Sequence, residues 1–369
     1  MVNNIMAEYI FILGNNAELS RAEIAAVFPE AEVLASGQDF LVVQLAELNC
    51  QSALNRLGGT IKIGQGLGRA ISVDKVEQKI MALAKSGKVN FGLSYYGVKP
   101  GNLGLTIKKR LKERGISCRL VVSRNQALSA VVVKKNKCLD FIVVPKWWGL
   151  TGAVQDFEAY GHRDFGRPKS DSRSGMIPPK LAKMMLNLSQ TDFKEKILDP
   201  FCGSGTILAE AAALGYTNLL GSDLSIKAVT DSRDNLNWLL DELALSGVSV
   251  DISQSDARDL AQRFARHSIG AIVTEPYLGP PLTGREGPRR IRAISSELED
   301  LYQAALGQFV KILKPSGRVV MVFPQWHLAG QTHQLGVKAV GFVRRDSGRL
   351  IYRRPRQIVW RQIRIFEKQ

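Results

Sequence analysis

The sequence predicts an α/β protein: a doubly wound, mainly parallel sheet in the C-terminal half, preceded by a small α+β unit and a second, strongly basic unit. Three observations predict it. From residue 196 onward, short apolar runs alternate with amphipathic helical stretches, the pattern of a sheet with helices on both faces. A small-residue turn, Asp199-Pro200-Phe201-Cys202-Gly203-Ser204-Gly205-Thr206, joins the first of these runs to a helix and lets the backbone pass close to a ligand. Asp199, Asp223, Asp256 and Glu275 each stand just after an apolar run, so four carboxylates are expected along the carboxyl ends of the strands.

The first 60 residues read as the small α+β unit. Tyr9-Ile10-Phe11-Ile12-Leu13 forms a strand, Ser20 is the expected N-cap of a helix through Ala22-Glu23-Ile24, and Cys50 to Leu57 is helical before Gly58-Gly59. Glu8, Glu18, Glu23, Glu30, Glu32, Asp39 and Glu47 face only Arg21 and Arg56, so this unit is acidic and is expected to support rather than touch a polyanion.

Residues 61–148 form the basic unit. Phe91 to Tyr96, Cys118 to Val122 and Ala130 to Val133 read as strands, and Leu105 to Arg114 as a helix carrying Lys108, Lys109, Arg110 and Lys112 on its outer face. One basic helix alone is more often a solvated surface. Here the excess spans several elements, within a chain of net charge +16, which favours a nucleic-acid face. Residues 149–175 read as a polar connector.

The last unit, residues 176–369, opens with a helix whose entry prolines, Pro178-Pro179, sit where missing donors cost nothing. It continues through the central strand and turn, a strand ending at Asp223, a helix capped by Ser225, and strands at Val248 to Ile252, Ile269 to Val273 and Arg318 to Phe323. The basic tail is expected to close a sheet edge as an antiparallel strand near Gln357 to Phe366.

The chemistry follows from residue types. No Gly-Lys-Ser/Thr follows the glycines and they miss the full dinucleotide spacing, so the ligand is expected to lack a pyrophosphate. A carboxylate at the turn suits a cationic amino-acid portion, Asp223 suits ribose hydroxyls, and Asp256 suits an adenine amino group. Together they describe S-adenosylmethionine, to be bound by Asp199, Phe201, Gly203, Gly205, Thr206, Asp223, Leu224, Asp256 and Ala257. Cys50, Cys118, Cys138 and Cys202 are scattered, so neither a metal site nor a disulfide framework is indicated. No apolar run spans a membrane and Met1 to Glu8 is no secretory leader, so a cytoplasmic protein with no membrane partner is expected.

Asp199 to Thr206 closely resembles motif I of class I methyltransferases that act on exocyclic amines in nucleic acid. Met176-Ile177-Pro178-Pro179-Lys180-Leu181-Ala182, with Gln155 to Tyr160, Arg163-Asp164 and Arg167-Pro168, resembles the THUMP-domain tRNA methyltransferases of guanosine 10. The resemblance implies a ferredoxin-like module over residues 1–60, a THUMP RNA-binding domain over 61–148, and a Rossmann-like methyltransferase domain over 176–369. It further implies a tRNA partner and, in some members, a small activating protein subunit; otherwise the chain acts as a monomer. In that family an Asp-Pro-Pro-Tyr-type motif accepts hydrogen bonds from the target amine and stacks an aromatic ring on the flipped base, while the amine attacks the sulfonium methyl in line.

This chain departs there, with Glu275-Pro276-Tyr277 after Thr274. The acid is longer by one methylene, about 1.5 Å, and the aromatic residue comes one position early. Two readings stay open: backbone and acid shift together and Glu275, Pro276 and Tyr277 are catalytic, or the motif has decayed and the protein binds tRNA without methylating it. A different substrate, ribosomal RNA, another tRNA guanosine or adenine in DNA, is a third reading. The following loop, Pro280 to Arg292, offers Arg285, Arg289 and Arg290 as an RNA clamp or a solvated surface.

Overall fold

The computed structural model describes residues 6–84, 87–170, 176–328, 331–354 and 357–369. Two compact units divide the chain, one of residues 1–21 with 28–158 and one of 22–27 with 159–369. The first part of the chain contains β1 (Met6–Leu13), α1 (Ala17–Val27), β2 (Glu32–Ser36), β3 (Phe40–Ala46), α2 (Cys50–Arg56), β4 (Thr60–Arg69), α3 (Val73–Leu83), β5 (Val89–Tyr95), α4 (Leu103–Glu113), β6 (Cys118–Leu120), α5 (Ala130–Lys135), β7 (Leu139–Val144) and β8 (Trp147–Val154). Its strands form one sheet in the order β2-β3-β1-β4-β8-β7-β5-β6. Tyr9 to Leu13 of β1 are buried at every position, which is why a continuous apolar run stands inside the sheet. Strand β4 pairs antiparallel with β8, so residues 1–60 and the basic segment contribute to a single sheet, and β8 reaches into the stretch expected to be a connector.

Two sequence expectations are corrected here. Ser20 is no N-cap: the helix begins at Ala17, and the Ser20 hydroxyl donates to the carbonyls of Asn16 at 3.2 Å and Gly59 at 2.8 Å. Ala130 to Val133 is helix α5, not a strand. Four apolar residues do not distinguish the two by periodicity, and Ser129, whose hydroxyl accepts from the Val132 amide at 3.3 Å, starts a helix.

The second part continues with α6 (Phe157–Phe165), α7 (Pro179–Ser189), β9 (Lys196–Asp199), α8 (Thr206–Leu214), β10 (Asn218–Asp223), α9 (Ile226–Glu242), β11 (Ser249–Gln254), α10 (Leu260–Arg263), β12 (Ile269–Thr274), α11 (Pro288–Ile312), β13 (Leu313–Leu328), β14 (Gln331–Gln334), β15 (Phe342–Arg344), β16 (Ile351–Tyr352) and β17 (Val359–Lys368). The expected connector thus holds β8 residues and α6, and its residues 171–175 lie outside the described residues, as do residues 1–5 of the start. The main sheet runs β11-β10-β9-β12-β13-β17-β15. Strands β9 to β13 pair in parallel and β17 lies antiparallel to β13, the edge role expected of the basic tail. Strand order reverses between β9 and β12, and a crevice opens at the carboxyl ends of strands where such a reversal occurs. Beneath it, Leu298, Tyr302, Leu306 and Phe309 of α11 pack with Val319, Met321 and Phe323 of β13. Helix α11 starts at Pro288, so Arg289 and Arg290 stand in its first turn and not in a loop; proline at N1 pre-sets the helical φ. Among the described residues no helix is long and apolar enough to cross a membrane.

Candidate active site

The turn after β9 lies at the reversal point. Asp199 is 1% exposed, and its Oδ1 accepts from the Phe201 amide at 3.2 Å and from the Thr274 hydroxyl at 2.7 Å. The second bond ties the end of β9 to the end of β12. Burial pushes the Asp199 carboxyl up to about 7, against the two donors, with Asp223 and Glu275 adding like charge. Two glycines act differently. Gly203 has φ +50° and nothing within 4 Å of where a Cβ would stand, so it borders open space. Gly205 has φ +82°, and a Cβ there would collide with Ser232 Oγ, so the turn lies directly against α9.

The turn is held from behind. Asn235 of α9 donates to the Ser204 carbonyl at 2.8 Å, and Arg167 Nη1 donates to Thr206 Oγ1 at 2.7 Å. On the open side, the Gly203 amide donates to Asp223 Oδ2 at 3.0 Å, and the Ser225 amide donates to Oδ1 at 2.9 Å. Leu224, 66% exposed, presents apolar surface directly after this carboxylate. Asp256 lies two residues beyond the end of β11, and Arg258 Nε donates to both its oxygens at 3.0 Å, which holds its carboxyl below the usual range. Ala257 is buried beside it. Cys202 is buried too, and burial next to Asp199 and Asp223 pushes its thiol up, so it is a neutral packing group.

Opposite, Glu275 follows β12 and pairs with Arg361 of β17. Arg361 Nε donates to Oε1, and Nη2 donates to Oε2 at 3.3 Å, with only 10% and 12% of the two side chains exposed. Burial raises the Glu275 carboxyl and Arg361 opposes the rise. Pro276 is buried, whereas Tyr277 is 51% exposed with its carbonyl accepting from the Tyr302 hydroxyl at 2.8 Å. The ring therefore faces solvent on an anchored backbone.

The structure brings Asp199, Phe201, Gly203, Gly205, Thr206, Asp223, Leu224, Asp256, Ala257 and Glu275-Pro276-Tyr277 to one rim of one sheet. The basic candidates divide between the two units. Lys109 and Lys112 of α4 are exposed, but Arg110 binds Asp74 at 2.7 Å and the buried Glu77 at 3.0 Å, which makes it a structural contact between α3 and α4. Arg285, Arg289 and Arg290 are exposed. Sequence reasoning missed Thr274, Ser232, Asn235 and Arg361. Only Arg361 had a signal, a charged residue within a strand-like segment of mixed polarity, and nothing in the sequence couples it to a glutamate 86 positions earlier.

A family model described as an RMKL-like methyltransferase domain matches residues 167–333. The tRNA (guanine(10)-N2)-dimethyltransferase of Pyrococcus abyssi is 24% identical over 90% of this chain and 93% of its own length. That of Methanothermobacter thermautotrophicus is 32% identical over 41% of this chain and 40% of its own length. The tRNA (guanine(6)-N2)-methyltransferase of Thermus thermophilus is 34% identical over 42% of this chain and 41% of its own length. Among solved structures, TrmN from Thermus thermophilus is similar in fold over 99% of this chain and all of its own, at a TM-score of 0.56 and 18% identity.

Proposed function

We infer, from the match of residues 167–333 to a methyltransferase-domain family, that the protein is an S-adenosylmethionine-dependent RNA methyltransferase acting on the exocyclic 2-amino group of a guanosine in tRNA. One observation carries the reading: an open glycine turn flanked by Asp199 and Asp223 is hydrogen-bonded, through Thr274, to the strand that presents Glu275-Pro276-Tyr277. The residues fit the cofactor. Open space at Gly203 beside the Asp199 carboxylate suits a cationic amino acid, Asp223 suits a ribose, and exposed Leu224 suits an adenine face. S-adenosylmethionine, when bound, supplies a methyl group activated by a sulfonium charge.

The chain's own residues do the rest. Glu275 accepts a hydrogen bond from the target amine and stabilises the positive charge that develops on its nitrogen. Tyr277 offers its exposed ring to a base taken out of the stack. Holding amine and cofactor in one crevice supplies most of the acceleration.

Position 10 is the favoured target, because a relative aligned over 90% of this chain and 93% of its own length is named for guanine 10. Labelled cofactor is incubated with a tRNA transcript carrying guanosine or adenosine at position 10. Label should be lost with adenosine; label retained would move the target elsewhere, with guanine 6 the next site to examine. A second reading, a tRNA-binding protein without turnover, is favoured by one contact: Arg361 engages both oxygens of Glu275. Cofactor binding without any label transfer would select it.

A further inference from the structure

The Glu275–Arg361 pair is too buried to be a surface ornament and too close to Pro276 to be remote from the chemistry. A carboxylate in this position would ordinarily be costly, because burial favours its neutral form. The groups facing it sharpen the problem. The Glu275 charge adds to the burial that raises Asp199 at the end of β9, which also faces Asp223 on β10, while Tyr302 of α11 is a phenol whose proton is held tightly by burial first and then by the same carboxylate. From β17, Arg361 faces it directly and Arg364 faces Tyr302. Arg361 is thus the cation that directly bonds the carboxylate among these groups.

Charge state decides what Glu275 recognises. An ionised carboxylate only accepts hydrogen bonds, whereas a neutral carboxyl also donates. The guanine edge that carries the 2-amino group presents N–H donors at both N1 and N2, so it matches an acceptor-only group, while adenine presents an acceptor at N1. A two-point guanidinium contact leaves the carboxylate further lone-pair positions, since its two oxygens offer about four.

We propose that Arg361 is a positioning and specificity residue for methyl transfer: it fixes the orientation of the Glu275 carboxylate and keeps it an acceptor-only partner for guanine. This rests on the role given to Glu275 above. Without the guanidinium the buried carboxyl holds its proton to higher pH, so a rate that needs the ionised form rises later on the pH axis.

The test uses the full chain with R361M, R361K, E275Q and the charge-free double variant E275Q/R361M. The Glu275 carboxyl is titrated directly by carbon NMR of glutamate-labelled protein, assigned by its loss in E275Q, and methyl transfer to a tRNA transcript is measured against pH. In R361M the titration and the rising limb of the rate should move up together, with transfer near pH 7 reduced by up to about tenfold for each pH unit by which the limb passes above pH 7 and recovered at higher pH. R361K should keep the wild-type limb at a lower plateau, since it retains the charge and loses the fork. Should R361M fail to fold, R361K against wild type supplies the plateau comparison, and a folded double variant would show that the loss came from the uncompensated charge. Wild-type titration in R361M would overturn the proposal alone. A displaced titration with an unmoved rate profile would overturn the role of Glu275 and the proposal with it.

Discussion

Asp199 is the residue whose environment makes the sharpest demand. Its carboxyl titrates at about 7 in the folded protein against 3.8 for the free side chain, because burial outweighs the donors from Thr274 and Phe201. An acid raised in the folded state contributes stability that is fully present below 3.8 and lost as pH rises through about 7. D199N should therefore melt higher than wild type at pH 8, with the difference vanishing below pH 4. A cationic ligand does the opposite to the group and favours its charged form. Cofactor affinity should strengthen by up to about tenfold per pH unit between pH 5 and 7, then level off, with proton release visible by calorimetry in buffers of different ionisation enthalpy. A flat profile would remove Asp199 from the cofactor site. For Glu275, E275A should lose methyl transfer by about a hundredfold or more while cofactor affinity changes less than about twofold; equal activity would sink its role.

At the scale of elements, the glycine turn shows what sequence can and cannot carry. Small residues between a buried strand and a helix announce a close backbone approach, and the turn is found where expected, at the carboxyl end of β9. Which glycine meets protein and which meets open space was invisible, because it depends on Ser232 of α9, more than two dozen residues later. Both left-handed positions resist a side chain, but their costs fall differently. G205A drives a methyl into Ser232 and should destabilise the free protein by about 1–3 kcal/mol, read as a lower thermal midpoint. G203A meets open space, so beyond a backbone cost of roughly 1–2 kcal/mol its main effect should be weaker cofactor binding. If both variants lost stability alike and bound cofactor alike, the open side of the turn would not be the ligand side. The misread run Ala130 to Val133 has the complementary lesson: a short apolar stretch takes its conformation from its neighbours, here the cap at Ser129 and the turn at Asn136. The stretch from β9 to β13 carried its signal in the repeated alternation of apolar strand and amphipathic helix, not in any single run.

At the scale of the whole molecule, a net charge of +16 speaks for a polyanion and says nothing about which residues meet it. The structure separates cations that hold the fold together from cations that face solvent: Arg110 belongs to Asp74 and Glu77, whereas Arg289 and Arg290 project from the first turn of α11. That separation is testable through counterion release, since removing one cation that neutralises a phosphate lowers the slope of log affinity against log salt by roughly 0.7–0.9. Charge reversal of Arg289 and Arg290 together should weaken tRNA binding and flatten the slope by about 1.4–1.8 if both touch phosphate. R110A should leave the slope nearly unchanged and instead lower the thermal midpoint, because Glu77, 2% exposed, loses the Arg110 guanidinium and keeps that of Arg114. The reverse pattern, an altered slope from Arg110 and none from the pair on α11, would move the proposed nucleic-acid face from α11 to the basic helix α4.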